Sequence, residues 1–177
     1  MSVSTKTILW KTDTAHSELI FKVKHLGLTT ITGHFRHFAV EAETEDDNFT
    51  HITDIRLAAS ILSIDTNSTL RDDHLRSPDF FDAENYPKLM FSASKFDRHE
   101  AKTTLEGELT IRGVTRLIPL TVTFEGIATD RGQTKAGFTI ETVISRHDFG
   151  LTWNNAGEIT VDDDIRIRAS VQLVRQD

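Results

Sequence analysis

The chain has 177 residues, of which 38% are hydrophobic and 27% charged, a composition typical of one globular domain with a sizeable core. Its formal net charge of -7 weighs against nucleic acid and anionic membranes as partners, because both attract basic surfaces. Cysteine is absent, which excludes disulfides, thiolate nucleophiles and cysteine-based metal sites.

The first residues lead directly into a predicted strand, without the apolar run of roughly 7–15 residues that a signal peptide needs. No apolar run approaches the roughly 18 residues that cross a bilayer. We therefore expect a cytoplasmic protein without a transmembrane segment.

Alternating apolar residues predict the first strands. A short strand covers residues 8–10, a turn follows at 13–17, and the alternation resumes over 19–24. A longer strand covers residues 30–42, but its apolar parity changes halfway. We predict a β-bulge near residues 36–37, which would return the apolar side chains to one face.

The alternation stops after residue 63, and we predict a short helical excursion near residues 67–85. Thr69 is a candidate N-cap, and Pro78 suits the first position of a second helical turn. The apolar side of this segment is predicted to consist of Leu70, Leu75, Phe80 and Phe81. In a chain of strands, this side is expected to cover the open mouth of a barrel.

Strands alternate again from Leu89 to the end, and the last one, residues 165–173, is the longest and cleanest. Pro119 cannot donate to a ladder, so it predicts an edge or a bulge. About eight strands with one apolar face each predict an up-and-down antiparallel barrel or a sandwich, formed by a single domain over residues 1–177. Such a barrel encloses either a packed core or one elongated ligand, and the pattern alone does not choose.

Several short motifs recur in a specific order along the chain. They are Trp10, Asp13, His16-Ser17, Phe21, Val23, His25 and Gly27, then Gly33 and Phe35, residues 63–66, 73–75, 77–82 and 86–87, the hairpin at 107–115, and residues 146–151. In this order and spacing they resemble the YceI-like family of lipid- or polyisoprenoid-binding proteins with a lipocalin-like barrel.

The resemblance implies an all-β, extended antiparallel barrel that holds a long apolar chain, such as a polyisoprenoid, an isoprenoid quinone or a fatty-acyl ligand. It implies reversible binding, storage or transport of this lipid, without catalysis and without a cofactor beyond the lipid itself. Members often form homodimers, and many carry a signal peptide and work in the periplasm, which this chain does not match.

The inward-facing apolar residues are the main candidates for ligand binding. From the strands they are Phe21, Val23, Phe35, Leu57, Ile61, Phe91, Leu109, Leu120, Val122, Phe124, Phe138, Ile140, Ile165 and Ile167, joined by Leu75, Phe80 and Phe81 from the helical segment and by Phe149 and Trp153 from the loop that follows residue 145. Polar groups at one end of the barrel, His25, Arg146 and Asn154, would meet the head group of the ligand.

Alternatives remain open at this point. The helical segment would gate ligand entry as a lid, or would only close the barrel end by packing. Instead of a carrier, the chain could be an enzyme acting on a small hydrophobic substrate in the same pocket, or a packed stress-response module without a ligand. The enzyme requires a titratable residue beside a second polar group in the lumen.

The histidines and the Arg146-His147-Asp148 run are the residues whose chemistry suits metal binding or catalysis. His34 and His37 have an odd separation and would point to opposite faces of a strand unless the bulge intervenes. No carboxylate motif of known spacing accompanies them, so we expect solvated surface histidines and no metal site there. Adjacent residues such as 146–148 do not converge on one atom, and a structural salt bridge is the expected role. His16 and His25 are expected to satisfy buried polar groups or the polar end of the ligand.

Overall fold

The computed structural model describes residues 6–154 and 160–177. Within these ranges the strands are β1 (Ile8–Thr12), β2 (Glu18–His25), β3 (Thr29–Phe35), β4 (Phe38–Thr44), β5 (His51–Ser60), β6 (Ile64–Asp65), β7 (Lys88–Asp97), β8 (Lys102–Ile111), β9 (Val114–Asp130), β10 (Gln133–Ser145) and β11 (Asp164–Arg175). One α-helix, α1 (Thr69–Arg76), and three short 3-10 turns complete them, at Thr14–His16, Ile61–Ser63 and Arg146–Phe149.

Eight of these strands close a barrel. The strands β1, β4, β5, β7, β8, β9, β10 and β11 pair in this order, and β11 pairs back to β1. All the pairings are antiparallel, as the single apolar face of each strand predicts. The barrel predicted from the sequence is therefore confirmed, and the sandwich is excluded.

The barrel wall is interrupted at two places, between β1 and β2 and between β3 and β4. β11 pairs with β1 through Leu173 and with β2 through Ala169, so β1 and β2 are successive parts of one edge. β3 and β4 continue one another in the same way across residues 36–37, where the bulge was predicted. Phe35 and Val40 are both buried, so the break does return the apolar parity to the interior.

Aromatic side chains fill one end of the barrel, which we call the base. The Phe49 ring lies 4.5 Å from the Trp10 ring and 4.8 Å from the Phe138 ring, measured between centroids. Trp10 Nε1 donates a hydrogen bond of 2.9 Å to Thr44 Oγ1, and both residues are fully buried. The polar end of this tryptophan is thus satisfied inside the core.

Arg98 completes the base from the β7–β8 turn. Its guanidinium carbon lies 4.1 Å from the centroid of the Phe124 ring, a cation–π contact. It also donates to the carbonyl oxygens of Phe49 at 3.1 Å and Asn48 at 2.6 Å. The base is therefore closed by packed rings and by a hydrogen-bonded arginine.

The helical segment covers the opposite end, which we call the mouth. Helix α1 begins after Ser68, whose Oγ accepts a bond of 3.3 Å from Arg71 N, so Ser68 and not Thr69 is the N-cap. After Arg76 the chain forms turns, and Pro78 does not start a second helix. Among the described residues, no helix has the length and hydrophobicity needed to cross a membrane.

Leu70 does not belong to the apolar side of this segment, contrary to the prediction. Its side chain is 84% exposed, whereas Leu75 packs against the core. Each residue of an α-helix turns the side-chain direction by about 100°. Because Arg71 and Leu75 face the barrel, Leu70 lies on the outer side of α1.

Pro119 was predicted to mark an edge or a bulge. It lies within the β8–β9 ladder, opposite Glu106, but beyond the end of the β9–β10 ladder, so β9 is an edge only on that side and only locally. The pairing of β9 with β10 runs to Thr121 opposite Glu141, just short of Pro119. Beyond that pair, Thr142 Oγ1 donates 2.9 Å to the Pro119 carbonyl. Where the two strands separate toward the mouth, the Thr142 hydroxyl thus supplies the donor for the Pro119 carbonyl, in place of a backbone N–H of β10.

Candidate functional site

Two phenylalanine rings lie flat against glycines of the barrel wall. A Cβ added to Gly33 would lie 2.1 Å from Phe21 Cζ, on the neighbouring strand. One added to Gly107 would lie 2.3 Å from Phe91 Cζ. Each ring occupies the space that a side chain at the glycine position would fill. The ring therefore takes up less of the lumen.

The lumen contains an inner cavity above the base, with a volume of about 110 Å³ and an apolar surface. Phe49, Leu57, Leu105, Val122 and Phe138 are among its lining residues. For comparison, an engineered apolar cavity of about 150 Å³ in another protein stays dry and takes up benzene. The barrel interior is therefore not a fully packed core.

A larger cavity of about 260 Å³ lies beneath the helical segment at the mouth. Phe21, Val23 and Ile165 line it from the barrel wall, and Leu75 and Phe81 line it from the segment above. The helical segment thus covers the mouth, as predicted.

Phe35 lies where the two cavities adjoin. It lines both of them, together with Leu89 and Ile167. Its ring centroid is 5.6 Å from that of Phe21 on the wall and 6.2 Å from that of Phe81 on the covering segment. A chain passing from the mouth to the inner cavity would have to pass this aromatic constriction.

Three rings hold the cover together at the mouth. The His74 ring lies 4.5 Å from the Trp153 ring, edge-on, and 5.1 Å from the Phe80 ring. His74 Nε2 also lies 2.8 Å from Asp79 Oδ2. Trp153 comes from the β10–β11 connection, so this cluster ties the helical segment to the far wall of the mouth.

The polar lining of the mouth cavity includes Arg71 of α1. Its Nε donates 2.7 Å to Thr66 Oγ1, and its Nη2 donates to the Thr66 carbonyl. Thr66 in turn donates through N and Oγ1 to the buried carboxylate of Asp72. Arg71 is therefore held against the mouth by a fixed network, and it lines the cavity.

Arg146 also lines the mouth cavity and is only 4% exposed. Its Nη1 donates to the carbonyls of Leu151 at 2.6 Å and Trp153 at 3.1 Å, and its Nε donates to Asp162 O at 3.2 Å. Of residues 146–148, for which a structural salt bridge was predicted, His147 comes near a carboxylate: its Nδ1 lies 3.4 Å from Asp163 Oδ1, a contact that is an ion pair only when the imidazole is protonated. Arg146 is held by neutral carbonyls.

Two carboxylates, Asp163 and Asp65, hold the loops on either side of the mouth in place. Asp163 accepts bonds from Ser145 Oγ at 2.6 Å and from His147 N at 3.1 Å, and the Ser145 bond, the largest cause, lowers the pKa of this carboxyl. The bond from Asn67 N to Asp65 is the main reason why the pKa of Asp65 is also lowered. Both carboxylates therefore stay charged and fasten the loops beside the cavity.

The structure brings most of the predicted binding residues to one of the two cavities. The inner cavity is lined by Phe35, Leu57, Phe91, Leu109, Leu120, Val122, Phe138, Ile140 and Ile167, and the mouth cavity by Phe21, Val23, His25, Phe35, Leu75, Phe80, Phe81, Arg146, Trp153, Ile165 and Ile167. The alternation of the strands is the reason, because it sends these side chains inward.

Three of the predicted apolar binding residues do not line either cavity. Ile61 and Phe149 are almost fully buried, but they lie in 3-10 turns, where the period of two no longer applies. Phe124 stays on its strand and packs in the base, with its ring 5.3 Å from that of Phe138 and beneath Arg98. These positions stabilise the fold next to the cavities.

The polar positions also differ from expectation. His25 lines the mouth cavity, but the His16 side chain is 64% exposed and its Nδ1 lies 2.8 Å from Asp13 Oδ2. Asn154, predicted to meet a head group, is exposed and does not line the mouth cavity. Within residues 6–154 and 160–177, no group of three or more histidine or acidic side chains could hold a metal ion.

Sequence reasoning missed part of the mouth cavity. Thr66, Arg71, His74, Thr160 and Val161 line it as well. Arg71 and Leu75 have the i, i+4 spacing that places both on one face of a helix, so the signal was present once Leu75 had been chosen. Thr160 and Val161 had no such signal, since they follow an irregular loop.

Fold and site together define a closed antiparallel barrel with an apolar interior and a helical cover at one end. The chain belongs to the YceI-like domain family, whose model matches residues 10–173. A UPF0312 protein of Staphylococcus epidermidis is 32% identical over 168 residues, which cover 91% of this chain and 94% of that protein.

Solved structures agree with this assignment. The crystal structure of the YCEI protein of Campylobacter jejuni is similar with a TM-score of 0.77 and 30% identity, covering 88% of this chain and 91% of the other. A polyisoprenoid-binding domain from Saccharophagus degradans shares the fold, with a TM-score of 0.68, 12% identity, and coverage of 94% and 98%. The fold of this family is thus shown for this chain.

Proposed function

We propose that this protein is a non-catalytic carrier that holds a polyisoprenoid or another long-chain amphiphile in its barrel. The observation that carries the proposal is the pair of adjoining cavities that lead from the mouth to the aromatic base. The printed description of the Saccharophagus degradans neighbour as polyisoprenoid-binding supports it at the level of the fold.

The tail of the amphiphile would enter through the mouth cavity, pass Phe35 and end against Phe49. Each buried CH₂ group contributes roughly 0.8 kcal/mol, so the affinity should rise with the length of the tail until the inner cavity is full. The head would stay at the mouth, where the polar side chains are. A reversible carrier needs no more chemistry than this.

Extraction of lipid from natively purified protein, followed by mass spectrometry, tests the proposal directly. The expected result is a co-purified long-chain amphiphile in about one copy per chain or fewer. Protein that carries no lipid, and that also binds none of a series of prenyl and alkyl amphiphiles in calorimetry, would overturn the carrier function.

A matched pair of variants locates the ligand in the barrel. Ala169 lines the inner cavity and is 3% exposed, whereas the next residue, Ser170, faces outward. Ala169→Leu should fill the inner cavity and weaken long tails about tenfold while sparing short ones, since one buried residue corresponds to roughly 1.5–3 kcal/mol. Ser170→Leu should leave both affinities unchanged, and equal effects of the two variants would place the ligand elsewhere.

Two further properties are carried forward as proposals. The cytoplasmic location expected from the sequence is one, which fractionation of the native host with an antibody would test. A homodimer is the other, because members of the family often form homodimers. Light scattering of the purified protein would test it. A membrane-enriched or exported pool would contradict the first, and a monomeric mass would contradict the second.

A further inference from the structure

The most exposed large hydrophobic side chains in the described part of the chain lie at the mouth of the barrel. Leu70, on the outer side of α1, is 84% exposed, and Leu28, in the turn between β2 and β3, is 82% exposed. Leu26, in the same turn, is 55% exposed. This turn borders the mouth cavity, which His25 lines just before it. Others, such as Leu117, lie on the outer wall of the barrel, where exposed hydrophobic residues are common.

The β2–β3 turn displays its two leucines at a cost to the backbone. Leu26 has a positive φ of 54°, which residues other than glycine seldom adopt, and Gly27 follows with a φ of 66°. Two hydrogen bonds fix the turn: Leu28 N donates 3.0 Å to His25 O, and Leu26 N donates 2.8 Å to Thr160 O. Neither leucine belongs to the hydrophobic core, and exposed turns usually carry Gly, Asn or Asp. Packing therefore does not account for leucine at either position.

The charges beside these leucines are mixed in sign. On α1, Asp73 Oδ1 lies 3.0 Å from Arg76 Nη1 and forms a surface ion pair with it. Beside the turn, Lys24 and Asp162 are both exposed, and Asp162 N donates a backbone hydrogen bond of 3.0 Å to Lys24 O. Because the whole chain also has a net charge of -7, the expected partner of this end of the barrel is an uncharged apolar surface.

Release of a long apolar tail into water is strongly unfavourable. Each CH₂ group that leaves an apolar site for water lowers the partition equilibrium about fourfold, so release of a tail of about ten carbons is disfavoured about a million-fold. Exchange of such a ligand therefore needs contact between the mouth of the carrier and another apolar phase. Exposed leucines beside that mouth supply such a contact.

We propose that Leu26, Leu28 and Leu70 form a membrane-docking surface, which inserts into the head-group region of a zwitterionic bilayer and places the mouth against the lipid. The proposal rests on the carrier function for its purpose, but the docking itself requires no bound ligand. Three leucines expose far less than the roughly 800 Å² that each partner of a stable protein interface buries. A fluid bilayer accepts such separate side chains one by one.

The docking is expected to be weak and reversible. The three side chains together carry about as many carbon atoms as one myristoyl chain, and such a chain gives a binding constant of about 10⁴ M⁻¹. Binding of this strength is compatible with a pool of protein in free solution. It also suits a carrier, which has to leave the membrane again.

The absence of cysteine from the chain allows a site-specific test, because a single introduced cysteine is then the only site for a thiol label. Leu28→Cys and Leu70→Cys, each carrying an environment-sensitive fluorophore, should show blue-shifted and brighter emission when phosphatidylcholine vesicles are added. Ile127→Cys is the control, since this residue is 39% exposed but lies near the β9–β10 turn, at the base of the barrel. Its label should not respond to the vesicles.

Vesicle flotation of the unlabelled protein measures the contribution of the leucines. Leu28→Ser combined with Leu70→Ser should lower the binding constant for phosphatidylcholine vesicles about tenfold or more, since burial of one leucine corresponds to at least that factor. Ile127→Ser should leave it unchanged. The replaced side chains are all exposed, so the urea midpoints of both variants should match that of the parent protein. Vesicles made of equal parts of phosphatidylcholine and anionic phosphatidylglycerol should bind the protein no better than phosphatidylcholine alone.

The outcomes separate the docking surface from the carrier function. Absence of vesicle binding, binding that requires anionic lipid, or binding that survives the double substitution unchanged would overturn the docking surface. A label at position 127 that responds as strongly as those at 28 and 70 would do the same. None of these results affects the carrier function, which the calorimetric affinity for amphiphiles tests separately. If that affinity is absent while the vesicle results are as expected, the carrier function fails and the docking surface remains.

Discussion

The flat ring of Phe21 against Gly33 predicts a specific penalty for one added methyl group. Gly33→Ala places Cβ 2.1 Å from Phe21 Cζ, and unstrained carbon contacts lie at about 3.5–4.0 Å, so the ring must move by roughly 1.5 Å. Overpacking of this kind costs about 1–3 kcal/mol. Replacing glycine by alanine also lowers the conformational entropy of the unfolded chain, which stabilises the folded protein by about 0.4–1 kcal/mol. We therefore expect a net destabilisation of about 1–2 kcal/mol.

Urea unfolding of a double-mutant cycle measures this penalty. Phe21→Leu removes the ring, and in that background Gly33→Ala should be neutral or slightly stabilising, which gives a coupling free energy of about 1–2 kcal/mol. Gly137→Ala is the control, because its Cβ would lie 3.4 Å from Glu125 Cβ, and it should change stability by no more than about 0.5 kcal/mol. A cost of Gly33→Ala that is the same with and without the ring would refute the reasoning.

Thr44→Val leaves the buried Trp10 N–H without its acceptor, so it should lower the free energy of unfolding by about 1–3 kcal/mol in urea titrations; an unchanged midpoint would show that this hydrogen bond contributes nothing. Ser68→Ala removes the N-cap of α1 and should cost about 0.5–2 kcal/mol, visible as faster amide exchange in residues 69–76, with exchange in β10 as the internal control. Hydrogen bonds from His16 and Lys135 hold the pKa of Asp13 below its usual 3.8, so this carboxyl stabilises the fold above that pH, and its contribution is lost as pH falls through the lowered value. Asp13→Asn should therefore flatten the acid limb of the stability profile, measured by urea unfolding from roughly pH 6 to pH 3, and a limb as steep as in the parent protein would argue against this role.

The alternation of apolar residues was sufficient to predict the barrel wall, because each strand has one face inside and one outside. The same rule placed Phe21, Leu57 and Val122 on the cavity linings. It failed at Ile61, where the alternation of β5 was extended beyond Ser60 into a 3-10 turn. A period of two is informative only as long as the backbone stays extended.

The size and shape of the cavities could not be read from the sequence. They depend on how rings are oriented, as in the case of Phe21, which lies over Gly33 instead of pointing across the lumen. Nor could the sequence show that Arg146 binds carbonyls, since residues 151, 153 and 162 come together only through the fold. The cavity shape and the contacts of Arg146 depend on residues that are far apart in the sequence. The local sequence pattern carries little information about such contacts.

The helical segment covers a gap in the barrel wall between β6 and β7 as well as the mouth. β6 pairs with β3 but not with β7, so residues 66–87 bridge that gap without a ladder. Across it, Arg76 donates 2.9 Å to Ile64 O, and Arg112 donates 3.0 Å to Phe80 O. Parting these two contacts would loosen the covering segment from β6 and from the β8–β9 turn without breaking any strand pairing.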